Sequence, residues 1–122
     1  MTSKRLELGK FGEVLALKKI KLLGYKNIIR NYRCPLGEVD LIAKDGDTLA
    51  FIEIKTRKGK SIGYAKEAVN ARKRRQLSKV ALAYMKSNDC WGAKARFDVV
   101  AISIEKDKPQ IEVIKNAFEL AY

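Results

Sequence analysis

Histidine is absent from all 122 residues. That omission removes Ser-His-Asp triads, Cys-His dyads and histidine-bearing zinc sites. Hydrolytic chemistry in this chain must run on carboxylates, Lys, Tyr, Ser or Cys, and a hard metal ion held by oxygen ligands is the fitting cofactor. Cysteine is scarce as well. Cys34 and Cys90 lie far apart and form no CxxC pair, so no disulfide framework is expected and the cytoplasm is the default compartment. No run approaches the roughly 18 apolar residues of a membrane-spanning helix. The opening MTSKRLELGKF carries positive charge without the apolar core or cleavage site of a signal peptide. Repeats, low-complexity tracts and Gly/Ser/Pro-rich linkers are missing, and the length suits one domain, 1–122, with one core.

What is abundant is positive charge. Lys and Arg number 26 against 14 acids, a formal net charge of +12. By charge alone such a surplus points equally to a polyanion, nucleic acid or an anionic membrane, and to a generally soluble basic protein; with no spanning run, nucleic acid and no membrane is the expected partner. Its distribution is informative. From Lys55 to Lys79 there are ten basic residues and one acid, Glu67, whereas Gly37 to Glu53 holds five acids and only Lys44. A polyanion drawn to the basic side would lie across the acidic one. The cations placed to reach phosphates are Arg57, Lys58, Lys60 and the run Arg72, Lys73, Arg74, Arg75. That run spans about one helical turn, so its charges radiate in several directions and some serve only solvation. Tyr64 and Trp91 are more simply read as packing than as base-stacking residues.

Periodicity supplies the frame. Apolar residues recur at helical spacing from about Lys4 to Leu23, through Leu8, Phe11, Leu15 and Leu22 and a stripe of Leu6, Leu17 and Ile20, and Gly24 offers a stop. A strand is expected over Lys26–Arg33, then a turn at Cys34–Gly37. The stretch GEVDLIAKDGDTLAFIEIK (37–55) alternates as two strands about a tight turn near Asp45-Gly46. Lys58–Gly63 reads as a loop. A second helix should cover Ala65–Lys86, with Val69, Leu77, Val80, Ala81 and Tyr84 inside. RFDVVAISI reads as a buried strand, EKDKPQ as a turn and IEVIK as an edge strand. The order α-β-β-β-α-β-β predicts an α/β fold, a mixed sheet flanked by helices with the later strand added after a crossover.

Carboxylates are depleted in strands, yet this hairpin carries Asp40 and Glu53. A turn at Asp45-Gly46 sets Asp40 diagonal to Glu53, and a turn at Gly46-Asp47 sets them directly opposite. Either way they share a face with Cβ atoms within roughly 5–8 Å. Period two adds Lys55 to that face. Paired carboxylates repel unless a cation intervenes, which a divalent ion does. A solvated ion pair of Lys55 with either acid explains the pattern equally well. Glu13 shifts that balance, because its i±4 neighbours Gly9 and Leu17 lie on an apolar stripe where an unbound carboxylate is costly. Gly9 and Gly12, unfavourable in a helix, suggest close approach of backbone or ligand.

Glutamate on a first helix, Asp and Glu-x-Lys on a hairpin, then a basic helix is the layout of PD-(D/E)XK (restriction-endonuclease-like) nucleases. More narrowly, LGKFGEVLA, GEVDLIA, FIEIKTR, the AVN-to-RKRRQL segment and RFDVVAI resemble the YraN family, which is similar to archaeal Holliday junction resolvases. Val39 stands where the motif has proline. The resemblance implies Glu13, Asp40 and Glu53 as ligands of Mg²⁺ or Mn²⁺, Lys55 as the catalytic lysine beside Asp40 and Glu53, and Gln76 as an auxiliary polar residue. The expected activity is hydrolysis of DNA phosphodiester bonds, on branched or single-stranded DNA, by a monomer or a homodimer. A non-catalytic DNA- or RNA-binding module on the same fold is the alternative.

Overall fold

Apolar runs in 41–43, 49–52 and 99–102 set the centre of the molecule. The computed structural model describes residues 2–58, 69–90, 92–106 and 108–120, with side chains from Glu7 onward. Its elements are α1 (Thr2–Leu22), β1 (Lys26–Cys34), β2 (Gly37–Asp45), β3 (Thr48–Lys58), α2 (Ala71–Ser87), β4 (Lys94–Glu105) and β5 (Lys108–Phe118). The five strands form one sheet in sequential order. Neighbours are antiparallel except β3 and β4, which run parallel across the α2 connection. This is the expected α-β-β-β-α-β-β arrangement with a mixed sheet.

The central strands are buried on both faces, as their near-continuous apolar sequences require. On one face α2 sets Leu77, Val80 and Met85 against Phe51, Phe97 and Val99. On the other, α1 sets Ala16 and Ile20 against Leu41, Ile52, Val100 and Ile102. Among the described residues, no helix is long and apolar enough to cross a membrane.

Local chemistry moves several boundaries. The second helix begins at Ala71, because Asn70 caps it: its Oδ1 accepts the Lys73 N–H at 2.9 Å. Val69 is buried as expected, but just outside the helix; the expected first turn from Ala65 lies outside the described residues, as does the loop beyond Lys58. The EKDKPQ turn contracts, since Lys108, Pro109 and Gln110 pair with Glu105, Ile104 and Ser103. Pro109 is tolerated there because β5 is an edge. The hairpin turns at Gly46-Asp47, with Asp45 opposite Thr48 and Gly46 at φ +64°.

The larger departure is on α1. Phe11 (46% exposed), Val14 (50%) and Leu22 (84%) face solvent, and Leu17 is only half-buried. The packed stripe is instead Gly12, Ala16 and Ile20, because small residues let the helix axis approach the sheet closely. A Cβ on Gly12 would collide with Thr56, lying 3.0 Å from its Cβ and 3.1 Å from its Cγ2. Gly9 has open space around it.

One buried network ties distant segments. Asp98, 1% exposed, accepts from Tyr25 Oη at 2.7 Å, Arg96 Nε at 2.8 Å and the Asn116 N–H at 3.0 Å. Arg96 also donates to Asp45 at 2.6 Å. A charge inside the sheet is tolerated because every face of it is bonded.

The two glycines should therefore respond oppositely. Gly12→Ala is expected to destabilise the protein by about 1–3 kcal/mol through overpacking, and Gly9→Ala to stabilise it by up to about 1 kcal/mol. Urea denaturation of the two variants checks this, and equal shifts would refute the close contact of α1 with β3.

Candidate functional site

The hairpin register brings the carboxylates together. The β2–β3 ladder ends at Leu41↔Ile52; the same register carried one pair further sets Asp40 opposite Glu53. There the strands part. Asp40 Oδ2 accepts the Ile54 N–H at 2.7 Å, so a side chain takes the donor that a continued ladder would use. Beyond this point β3 stays paired with β4 as far as Lys58, and β2 with β1 as far as Gly37.

Glu53 is 7% exposed, and its Oε2 is buried without a hydrogen-bond partner among the described residues. Lys55 Nζ lies 3.9 Å from Glu53 Oε1, an ion pair rather than a hydrogen bond. Burial, then the adjacent Asp40 carboxylate, pushes the Glu53 carboxyl up to about 7, against the pull of Lys73 and Lys55. Burial also raises Asp40, opposed chiefly by the Ile54 N–H and by contact with Glu53. The pair therefore retains a proton towards neutral pH, as close carboxylates in a dry setting do.

Glu13 reaches this site from α1. It lines a cleft of about 440 Å³ together with Gly9, Asp40, Ile54 and Lys55. Among the described residues no three carboxylates cluster tightly enough to hold one ion directly. Asp40 and Glu53 form a close pair, and Glu13 is a third carboxylate on the cleft wall. A two-carboxylate site suits Mg²⁺, which keeps several waters, and the orphaned Glu53 Oε2 is a free ligand atom of the right kind.

A second, basic cleft of about 620 Å³ lies along α2, lined by Arg72, Lys73, Arg75, Gln76 and Lys79 together with the β1–β2 turn. Lys73 belongs to both settings, because it lines this cleft and also acts on the carboxylate pair. Gln76 packs over the start of β2: a Cβ on Gly37, where φ is +142°, would sit 2.6 Å from Gln76 Nε2. Arg74 turns elsewhere. Its Nε donates to Val69 O at 2.7 Å and its guanidinium lies 5.4 Å from the Phe118 ring centroid, so it works within the fold. Arg57 and Lys58 are exposed at the end of β3, and Lys60 lies outside the described residues. Lys79 was not singled out by sequence, although its spacing from Arg72 and Arg75 (i, i+3, i+7) marks one helix face.

Comparison with known proteins places these residues in a shared context. The sequence model of "Uncharacterised protein family UPF0102" matches residues 12–102, a span that includes Glu13, Asp40, Glu53, Lys55 and the cations of α2. The chain is 50% identical over 116 residues to UPF0102 protein GSU0650 of Geobacter sulfurreducens, covering 94% of this chain and 91% of that protein. It is 42% identical over 120 residues to a UPF0102 protein of Syntrophus aciditrophicus, covering 98% and 94%. A UPF0102 protein of Geotalea daltonii is 47% identical over 117 residues, covering 94% and 91%.

The buried pair sets a pH dependence. A Glu53 carboxyl raised from the ordinary 4.5 to about 7 contributes stability that is full below pH 4.5 and lost as pH rises through about 7. In metal-free buffer, wild type should lose stability relative to Glu53→Gln across that window, by up to about 1.4 kcal/mol per pH unit. Denaturation curves of both proteins at pH 5 and pH 8 check it; a difference that ignores pH would mean Glu53 is solvated.

Proposed function

The chain belongs to the uncharacterised protein family UPF0102, and we propose that it is a divalent-metal-dependent nuclease of the PD-(D/E)XK superfamily that hydrolyses DNA phosphodiester bonds. The observation that carries this reading is the Asp40–Glu53 pair at the parting of β2 from β3, with one buried carboxylate oxygen that has no hydrogen-bond partner among the described residues. Two acids brought together and dried out are costly for a fold unless a cation binds them. Asp40 and Glu53 would hold Mg²⁺ or Mn²⁺, with Glu13 as the further carboxylate on the cleft wall. Such an ion supplies Lewis-acid stabilisation of charge developing on a phosphate.

The chain's own groups supply the remainder. Hydrolysis adds one water across a P–O bond, and negative charge grows on the phosphate as that bond breaks. Lys55, 29% exposed at its side chain and beside Glu53, presents an ammonium to that charge. Asp40 is held in place by the Ile54 N–H, so the carboxylate does not have to be ordered when substrate arrives. Arg72, Lys73, Arg75 and Lys79 attract the phosphate backbone along α2. A module that only bound nucleic acid would have little use for anions next to its phosphate site, which favours the enzyme over the binder.

Binding and chemistry should separate by mutation. Lys55→Ala is expected to reduce Mn²⁺-dependent cleavage by orders of magnitude with little loss of DNA affinity, since it is one cation among many. Asp40→Asn should abolish cleavage and weaken Mn²⁺ binding in calorimetry. Arg72→Ala with Arg75→Ala should weaken binding to all sequences and reduce the salt slope by about 0.9 per phosphate contact on duplex DNA. If wild type cuts none of single-stranded, duplex, flapped and four-way DNA in Mn²⁺, the enzyme reading fails and the binding module stands.

A further inference from the structure

The basic cleft has a second chemical character that charge attraction alone does not explain. Its helix side carries Arg72, Arg75 and Lys79, and its other side is the β1–β2 turn with Pro35 and Leu36. Leu36 is 51% exposed, and no carboxylate occurs among the cleft's described lining residues. An isolated exposed leucine is ordinary on a protein surface. A leucine fixed at the rim of a cation-lined cleft is a different matter. Gly37, at φ +142°, holds the turn in a conformation that other residues rarely adopt, and Gln76 packs directly onto that glycine. The turn and the helix are thereby set at a fixed spacing.

Cations on one wall and an apolar side chain on the other match a strand whose bases are unstacked. Phosphates take the cations, and a base face takes the apolar surface. A duplex keeps its base faces stacked inside along its length, so it offers Leu36 no base face to pack against. Position supports the match. Leu36 lies in the turn just ahead of β2, four residues before Asp40, and at about 3.3 Å per extended residue it is no more than roughly 13 Å along the chain from that carboxylate.

We propose that this cleft binds an unpaired DNA strand adjoining the scissile phosphate, with Leu36 packed against an exposed base and Arg72, Arg75 and Lys79 on its phosphates. Its placement next to a scissile phosphate rests on the nuclease reading; its preference for an unpaired strand does not. The substrate class that follows is DNA carrying a single-stranded segment: a flap, a gap or a free strand.

Fluorescence anisotropy in EDTA, with a labelled single-stranded oligonucleotide and a blunt duplex of equal length, tests it without cleavage. Leu36→Ala should weaken single-strand binding about five- to tenfold, the scale of one lost apolar contact, and leave duplex binding within about twofold. 2-Aminopurine in the single strand should change emission on binding wild type, and the change should be absent with Leu36→Ala. Unaltered thermal unfolding of the variant confirms that the turn is intact. No single-strand binding by wild type, or equal effects on both DNAs, overturns the proposal. If the selective loss is seen but wild type cuts nothing, the nuclease reading fails and the cleft assignment stands. If wild type cuts DNA and Leu36→Ala has no selective effect, the cleft assignment fails alone.

Discussion

The hydrogen bond from the Ile54 N–H to Asp40 Oδ2 determines where the β2–β3 ladder stops. By occupying a backbone donor, the carboxylate removes the reason for the strands to stay together, and the sheet opens at that point. Beside the opening Glu53 is buried with an oxygen that has no partner among the described residues, and Glu13 from α1 shares a cleft with Asp40 and Lys55. In most sheets a buried acid in this position would be a defect. Here the backbone is arranged around it.

Much of this was legible in the sequence because strand geometry has a period of two. Alternation was enough to set Asp40, Glu53 and Lys55 on one face, and the order α-β-β-β-α-β-β followed from changes of period. The hairpin register was open between two turns until the Asp45↔Thr48 pair resolved it. On α1 the pattern misled, because Phe11 and Leu22 look like core while Gly12 and Ala16 decide how near the helix can come. Counting charge gave the basic run but not its directions: Arg74 bonds to Val69 and lies over Phe118, while the charge of Lys73 acts on the carboxylate pair. The Tyr25–Asp98 bond joins residues 73 apart in the chain, and no local rule connects them.

The two helices divide the labour by sign. α1, packed through small residues on one face of the sheet, contributes a carboxylate. α2, packed through large apolar residues on the other, contributes cations and an amide. Because the site lies at an opening in the sheet rather than on one face, both helices address it. In a chain of net charge +12 the acidic centre is thus approached from both sides: Lys55 forms an ion pair with Glu53 at 3.9 Å, and Lys73 acts on the pair from α2.

The parallel pairing of β3 with β4 bears on how the chain reaches this arrangement. Its ladder has eleven pairs, from Thr48↔Lys94 to Lys58↔Ile104, and each joins residues 46 apart in sequence. The hairpins of β1, β2 and β3 instead close two-residue turns. Contact order therefore splits the molecule into a local half that closes quickly and a half that waits for the α2 crossover. Asp40 and Glu53 both belong to the local half, whereas β4 and α2, which help to enclose them, belong to the slower one. That order predicts that the acids meet while still in water and are dried only later. On that order the electrostatic cost of the site would fall on the final docking step and not on the nucleus.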